Sequence, residues 1–217
     1  MSSMSGMAEE LGLRERKKRE TRQRIADVAM GLFMLRGFDR TTVADVAEAA
    51  DVSVNTVFNY FKTKEDLFFD RQDLAVQSLG GVVASRRAGE SVVEALRRDF
   101  HDALDEGDWR YGTASGVEDF SRMVFESPSL RARMREMSDQ RRDHLARVLA
   151  EETDADPDDP TPRIVAAQVV ALTQAISLEY LRRRRAGESD AAVLPAVRAA
   201  VDQGFDLLKS GIGDYPR

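Results

Sequence analysis

The chain has 217 residues, with 32 Lys and Arg against 38 Asp and Glu, two histidines and no cysteine. Disulfide frameworks, thiolate zinc sites, iron–sulfur clusters and cysteine nucleophiles are therefore excluded, and with only His101 and His144 a histidine-built metal site or catalytic triad has almost no material. Six prolines and 14 glycines amid abundant Ala, Leu, Arg and Glu favour helix over strand, and 42% hydrophobic residues suffice for a core.

The net charge of -6 is unevenly spread. Residues 14–64 hold 11 basic against 7 acidic side chains, a balance of +4, which leaves -10 on the rest. Seven of the basic residues crowd into 14–24. Two readings of that run are open: a basic binding segment on an acidic body that repels DNA, or a solvated helix start.

Residues 1–13 are small and polar, with no apolar stretch of the kind a secretory signal needs, and read as a disordered leader. Ile25, Val28, Ala29, Leu32 and Phe33 repeat at three- and four-residue spacing, which predicts an amphipathic helix stopped by Gly37. Thr41 or Thr42 can cap a second helix over 43–50, and Ser53 a third that runs to about Phe61. Two short helices joined by a tight turn form the helix-turn-helix pattern. Thr63 caps a fourth helix over 64–88, with Leu67, Phe68, Leu74, Leu79 and Val82 inward and Gly80-Gly81 as a kink.

Ser91 and Glu94 make a capping box for a helix over 91–104, and 107–116 is a loop that contains Trp109. Helices over 117–126 and 128–152 follow, then an exposed Asp- and Pro-rich loop over 153–162. Thr161-Pro162 opens a long helix that ends before Gly187, and Ser189-Asp190 opens the last, which closes at Ser210-Gly211. The expectation is an all-α protein of about nine helices, divided into a leader (1–13), a three-helix helix-turn-helix domain (14–63) and a helical body (64–217). The apolar stretch 164–178 is broken by Gln168, Thr173, Gln174 and Ser177 and falls short of the ~20 residues that span a bilayer, so the chain reads as cytoplasmic with no membrane partner. No metal or cofactor is expected.

The stretch Arg36-Gly37-Phe38-Asp39-Arg40-Thr41-Thr42-Val43-Ala44-Asp45-Val46-Ala47, followed by Val52-Ser53-Val54-Asn55-Thr56-Val57-Phe58-Asn59-Tyr60-Phe61 and Lys64-Glu65-Asp66-Leu67, resembles the DNA-binding domain of the TetR family of bacterial regulators. The resemblance covers roughly 16–69. It implies a ligand-responsive repressor that binds a palindromic double-stranded operator as a homodimer. Ser53, Val54, Asn55 and Asn59 would face the groove, and Thr42, Thr56, Tyr60 and Lys64 would grip phosphates. A basic arm over 14–22, with Arg19, would reach backbone or minor groove. The chemistry agrees, because Asn pairs with an adenine edge while hydroxyls and Lys suit phosphate oxygens. Thr42 and Ser53 read equally well as helix caps. Two positions depart from the family pattern: Phe58, commonly tyrosine, and Asp51, commonly glycine.

In the body, Leu130, Met134, Met137, Leu145 and Val148 share one face of the helix from Pro128, with Arg141 at its centre and His144 at its edge. Arg141 either anchors a polar or anionic ligand among Phe100, Trp109, Phe120, Met123 and Met137, with His144 and Gln168 near, or makes an internal salt bridge to a residue such as Glu118 or Glu179, or snorkels to solvent. The last two helices, Ala- and Val-rich with Gly204, suit packing against a second copy, as the family resemblance implies for a homodimer. The run 182–185 reads as a solvated helix end. The Asn59-Tyr60-Phe61 block and the Met-, Arg- and Asp-Pro-rich body also resemble the mycofactocin-regulator-like subgroup, which implies an acyl-CoA-like effector. Two rivals are a ligand-independent dimeric DNA-binding protein and a carboxylate/His hydrolase built on His101 and His144.

Overall fold

The structure, a computed structural model, describes residues 2–70, 73–113 and 116–212, with side chains for 15–70, 75–113 and 116–211. Among these residues every regular element is helical: ten α-helices, one more than the sequence suggests, and a short 3-10 turn. They divide into two compact units, Met1–Asp70 and Arg71–Arg217.

The first unit holds α1 (Ser2–Arg36), α2 (Val43–Ala49), α3 (Val54–Tyr60) and α4 (Lys64–Phe68). Residues 2–13, expected to be a disordered leader, continue α1 instead, since extending a nucleated helix costs little per residue. Ile25, Ala29 and Phe33 are fully buried on α1, whereas Val28 and Leu32 are half-buried. Phe33, Phe38 and Phe68 meet with ring centroids 5.1 to 5.9 Å apart. Capping boxes open α2 (Thr42 with Asp45) and α4 (Thr63 with Asp66), and Ser53 opens α3 by accepting from the Thr56 amide.

The α2 terminus closes with two bonds, Asp51 N–H to the Glu48 carbonyl and Val52 N–H to the Ala47 carbonyl, around a left-handed Asp51 at φ 53°. That conformation suits glycine. Asp51→Gly is expected to raise the stability of the first unit by about 0.5 kcal/mol, because relief of left-handed strain outweighs the greater unfolded-state freedom of glycine. A urea midpoint measures it.

The single helix expected over 64–88 is two, α4 and α5 (Asp73–Ala84). Phe68 and Phe69 are each 2% exposed and pack edge to face at 5.0 Å, and burying both rings turns the backbone out of the helix at Phe69 (φ -97°, ψ 16°). With α4 in the first unit, the division falls after Asp70 and not after residue 63. Leu74, one of the residues expected inward, lies outside the described side chains.

The second unit comprises α5, α6 (Val92–Glu106), the 3-10 turn Trp109–Tyr111, α7 (Val117–Glu126), α8 (Pro128–Thr153), α9 (Thr161–Arg185) and α10 (Asp190–Ile212). α8 packs between α5 and α9, and α10 lies on α9 and α6. Gly80 does not kink α5. It lets α5 approach α8 so closely that a Cβ at residue 80 would sit 2.7 Å from His144 Nε2. Gly204 likewise serves packing inside the chain, not against a copy, for a Cβ there would collide with the Leu172 side chain of α9. Thr161 is the first residue of α9 and Pro160 holds the cap position without a side-chain cap; Asp159 accepts from the Thr161 amide and hydroxyl at 2.8 and 2.6 Å. The arginines that end α9 are tied down: Arg184 pairs with Glu118 (2.5 Å) and Asp190 (2.6 Å), and Arg183 with Glu179 (2.7 Å).

By length and composition α9 could cross a membrane, contrary to the sequence expectation. It packs on α7, α8 and α10, and its exposed apolar residues, Ile164, Ala167, Ala171, Ala175 and Leu178, fall at three- and four-residue spacing along one side.

Candidate nucleic-acid interface and a buried cation

α3 is seven residues long and is anchored by Val57, which is fully buried. Its opposite side presents Val54 (39% exposed), Asn55, Phe58 (48% exposed) and Asn59. The hydroxyls expected to touch DNA are first of all caps. Thr42 Oγ1 accepts from the Asp45 amide at 3.1 Å and donates to its carboxylate at 2.6 Å, which holds the Asp45 carboxyl below its ordinary range. Ser53 Oγ accepts from the Thr56 amide at 3.0 Å and is hydrogen-bonded to Thr56 Oγ1 at 2.8 Å. Asn55 and Asn59 take no part in these caps.

Two of the basic residues are structural. Arg22 donates to the Tyr60 carbonyl at 2.7 Å, pairs with Asp70 at 2.6 Å and lies 4.4 Å over the Phe61 ring. The Lys64 ammonium, expected on a phosphate, turns inward. It donates to the Phe38 and Thr41 carbonyls at 3.0 and 3.1 Å and sits 4.1 Å over the Phe38 ring, because the corner between α1 and α2 leaves those carbonyls without helical donors. Lys64→Met is therefore expected to lower the stability of the first unit by about 1 to 2 kcal/mol while leaving the salt dependence of DNA binding unchanged. A salt slope smaller by about one would contradict this. Tyr60 is half-buried, and Arg19 is exposed with Lys17, Lys18 and Arg24 on α1, a helix where an extended arm was expected.

In the second unit, Arg141 of α8 is half-buried as a residue, yet its Nε and Nη2 are sealed from solvent without a hydrogen-bond partner. Its guanidinium lies 5.7 Å from the Tyr111 ring centroid. Burial pushes its pKa below the ordinary value, and the Asp99 carboxylate opposes that shift. Asp99 is already engaged: it accepts from the Tyr111 hydroxyl at 2.7 Å and lies 3.5 Å from Arg110, which itself pairs with Asp108 at 2.7 Å. Burial first, and then Asp99, raise the Tyr111 pKa. Glu118 and Glu179, the suggested internal partners of Arg141, are held by Arg184, Arg182 and Arg183. Thr113 Oγ1 is also buried and unpartnered.

Around this cation the residues singled out from sequence separate. Phe100 is fully buried and stacks on Tyr111 at 4.0 Å, Trp109 is half-buried two residues before Tyr111, and Met137 is buried one turn before Arg141. Met123 is buried and Phe120 half-buried on α7, which packs on α8 and α9. Three residues are placed elsewhere. Met134 is 42% exposed, His144 lies against Gly80 of α5, and Gln168 is exposed on the apolar side of α9. An open pocket of about 430 Å³ lies at α7 and the end of α9, lined by Glu118, Arg122, Phe125, Glu126 and Arg185, and includes none of them. The sequence reading missed Asp99, Tyr111, Arg110 and Thr113. An acidic residue beside Phe100 on an otherwise amphipathic helix was the one available signal.

Residues 25–70 match the family described as "Bacterial regulatory proteins, tetR family", and residues 90–212, more than half of the chain, match the "MftR C-terminal domain". The "HTH-type transcriptional regulator TcmR" of Streptomyces glaucescens is 30% identical over 204 residues, 91% of this chain and 87% of that protein. The chain belongs to the TetR family of bacterial regulators. The "Putative mycofactocin biosynthesis transcriptional regulator MftR" of Mycobacterium tuberculosis is 24% identical over 89% of this chain and 95% of its own. Among solved structures, NalD of Pseudomonas aeruginosa shares the fold with a TM-score of 0.57 at 19% identity, covering 87% of this chain and 96% of its own. A TetR-family regulator from Syntrophomonas wolfei reaches 0.60 at 15% identity with the same coverage.

As a TetR-family member the chain is a DNA-binding transcriptional regulator and not an enzyme. His101, once a hydrolase candidate, belongs to an ion network between α6 and α10, its Nε2 2.9 Å from Asp202, which also takes Arg97 at 2.6 Å.

Proposed function

We propose that this TetR-family regulator is a cytoplasmic homodimeric repressor that holds a palindromic operator and leaves it when a small organic effector enters the Arg71–Arg217 unit. The observation that carries this reading is the presence, in one chain, of exposed Asn55 and Asn59 on α3 and an exposed apolar side on α9. A seven-residue helix touches only a few base edges, so a single copy reads too little sequence to be selective. Pairing through α9 and α10 covers the apolar side and presents two copies of α3 to successive major grooves. Within each copy Ser53, Val54, Asn55 and Asn59 face the bases of the groove, while Arg19, Thr42, Thr56 and Tyr60 lie toward phosphates. Lys64 supports the corner behind them.

An effector releases DNA only by binding more tightly to an arrangement of the two α3 helices that no longer fits the grooves. The match of 90–212 to the MftR C-terminal domain supports acyl compounds, including acyl-CoA-like ones, as the first effectors to try. The test is fluorescence anisotropy with an operator selected from a random duplex pool. The expected result is two chains per operator, and release by at least one acyl compound or fraction of a cell extract. Saturable binding that no compound or fraction reverses would favour a ligand-independent dimer.

A further inference from the structure

We infer that the effector carries a free carboxylate and that the Nε–Nη2 edge of Arg141 receives it. This deepens the effector-binding reading above and rests on it. A buried charge without a partner is costly, and proteins pair such groups or leave them in water. Two of the three guanidinium nitrogens of Arg141 have neither in the described residues: its Nε and Nη2 are sealed and unbonded. Asp99 is taken by Tyr111 and Arg110, and Glu118 and Glu179 by the arginines of α9.

Which atoms are unpartnered specifies the missing group. Nε–H and Nη2–H point the same way from one edge of the guanidinium plane, the fork that takes both oxygens of one carboxylate. The chain uses that edge elsewhere in this way. Arg98 places Nε and Nη2 on the two oxygens of Glu90 at 2.8 and 3.0 Å, and Arg182 does the same to Glu179 at 2.6 and 2.7 Å. Arg141 is the same fork with no carboxylate on it. Thr113 Oγ1, also buried and unpartnered and two residues from Tyr111, supplies a hydroxyl for a second polar atom of the ligand. Phe100, stacked on Tyr111, and the half-buried Trp109 make the neighbourhood apolar and aromatic, so the rest of the ligand is an organic body and not a simple ion.

The probes are decanoate with methyl decanoate and decanoyl-CoA, and benzoate with its neutral isostere benzamide, at constant ionic strength. Binding is read from the fluorescence of Trp109, the only tryptophan, from melting temperature, and from operator release. At least one of the two carboxylates should bind about tenfold or more tightly than its neutral counterpart. Arg141→Met should lose that preference and Arg141→Lys should retain only part of it, both with unchanged operator affinity. Without ligand, Arg141→Met should melt about 3 °C higher, since it removes two buried N–H donor groups that lack hydrogen-bond partners. Equal binding of acid and neutral counterpart, binding of neither carboxylate, or a lower melting temperature for Arg141→Met would overturn the inference. If methyl decanoate or decanoyl-CoA releases operator equally from the parent protein and Arg141→Met, the effector reading stands and the carboxylate assignment falls. Carboxylate binding through Arg141 with no operator release would uphold the site and remove its regulatory role.

Discussion

Replacing Ile164 and Leu178 of α9 with glutamate is expected to give a folded monomer that has lost most of its operator affinity. The two side chains are 52% and 55% exposed in the single chain, so the substitutions leave its core untouched. Between them Ala167, Ala171 and Ala175 continue the same exposed side, a smooth surface suited to close helix packing. In an interface that covers this side each glutamate would carry a charge into an apolar contact, at a cost in desolvation that the interface does not repay. Linking two binding heads raises affinity by about 10² to 10⁴ over either alone, so the monomer should bind operator about a hundredfold or more weakly. Sedimentation equilibrium with circular dichroism checks the first half of this expectation, and anisotropy the second. A variant that remains dimeric would move the interface off α9.

Asn55→Ala combined with Asn59→Ala should abolish selectivity while sparing non-specific binding. A bidentate contact between Asn and adenine discriminates by about 1 to 3 kcal/mol, and in a homodimer each substitution acts in both half-sites, so either alone should cost about 2 to 6 kcal/mol on the operator. Random duplex should be bound as before, with the same salt slope, since neither residue neutralises a phosphate. Both positions are exposed on α3, and alanine is the better helix former, so a loss of folding cannot account for the effect. Equal weakening on operator and random duplex would take base readout away from Asn55 and Asn59.

The helix-turn-helix was legible in the sequence because its determinants are local. Thr42 with Asp45, Ser53 with Thr56 and Thr63 with Asp66 are bonds between residues three apart, and the apolar repeat around Phe33 is visible on one helix. The direction of the Lys64 side chain was not legible, since it is decided by carbonyls 26 and 23 residues away. The break between α4 and α5 was hidden for the same reason, as Phe69 leaves the helix to reach a core built by other elements. In the second unit, helix limits followed from capping residues and prolines, but the environment of Arg141 comes from α6, the 3-10 turn and α8 together. Periodicity put Arg141 on a buried face correctly. It could not tell that Glu118 and Glu179 are spent on the end of α9, nor that Met134 and Gln168 face outward. Those facts are relations between helices.

Methylation protection of a selected operator, read at guanine N7 in the major groove, tests the central claim most directly. Two copies of α3 in successive grooves predict two protected clusters about one helical turn apart on one face of the duplex, both lost together in the Asn55→Ala, Asn59→Ala variant. A single protected cluster, or protection unchanged by that variant, would contradict a dimer that reads DNA through α3.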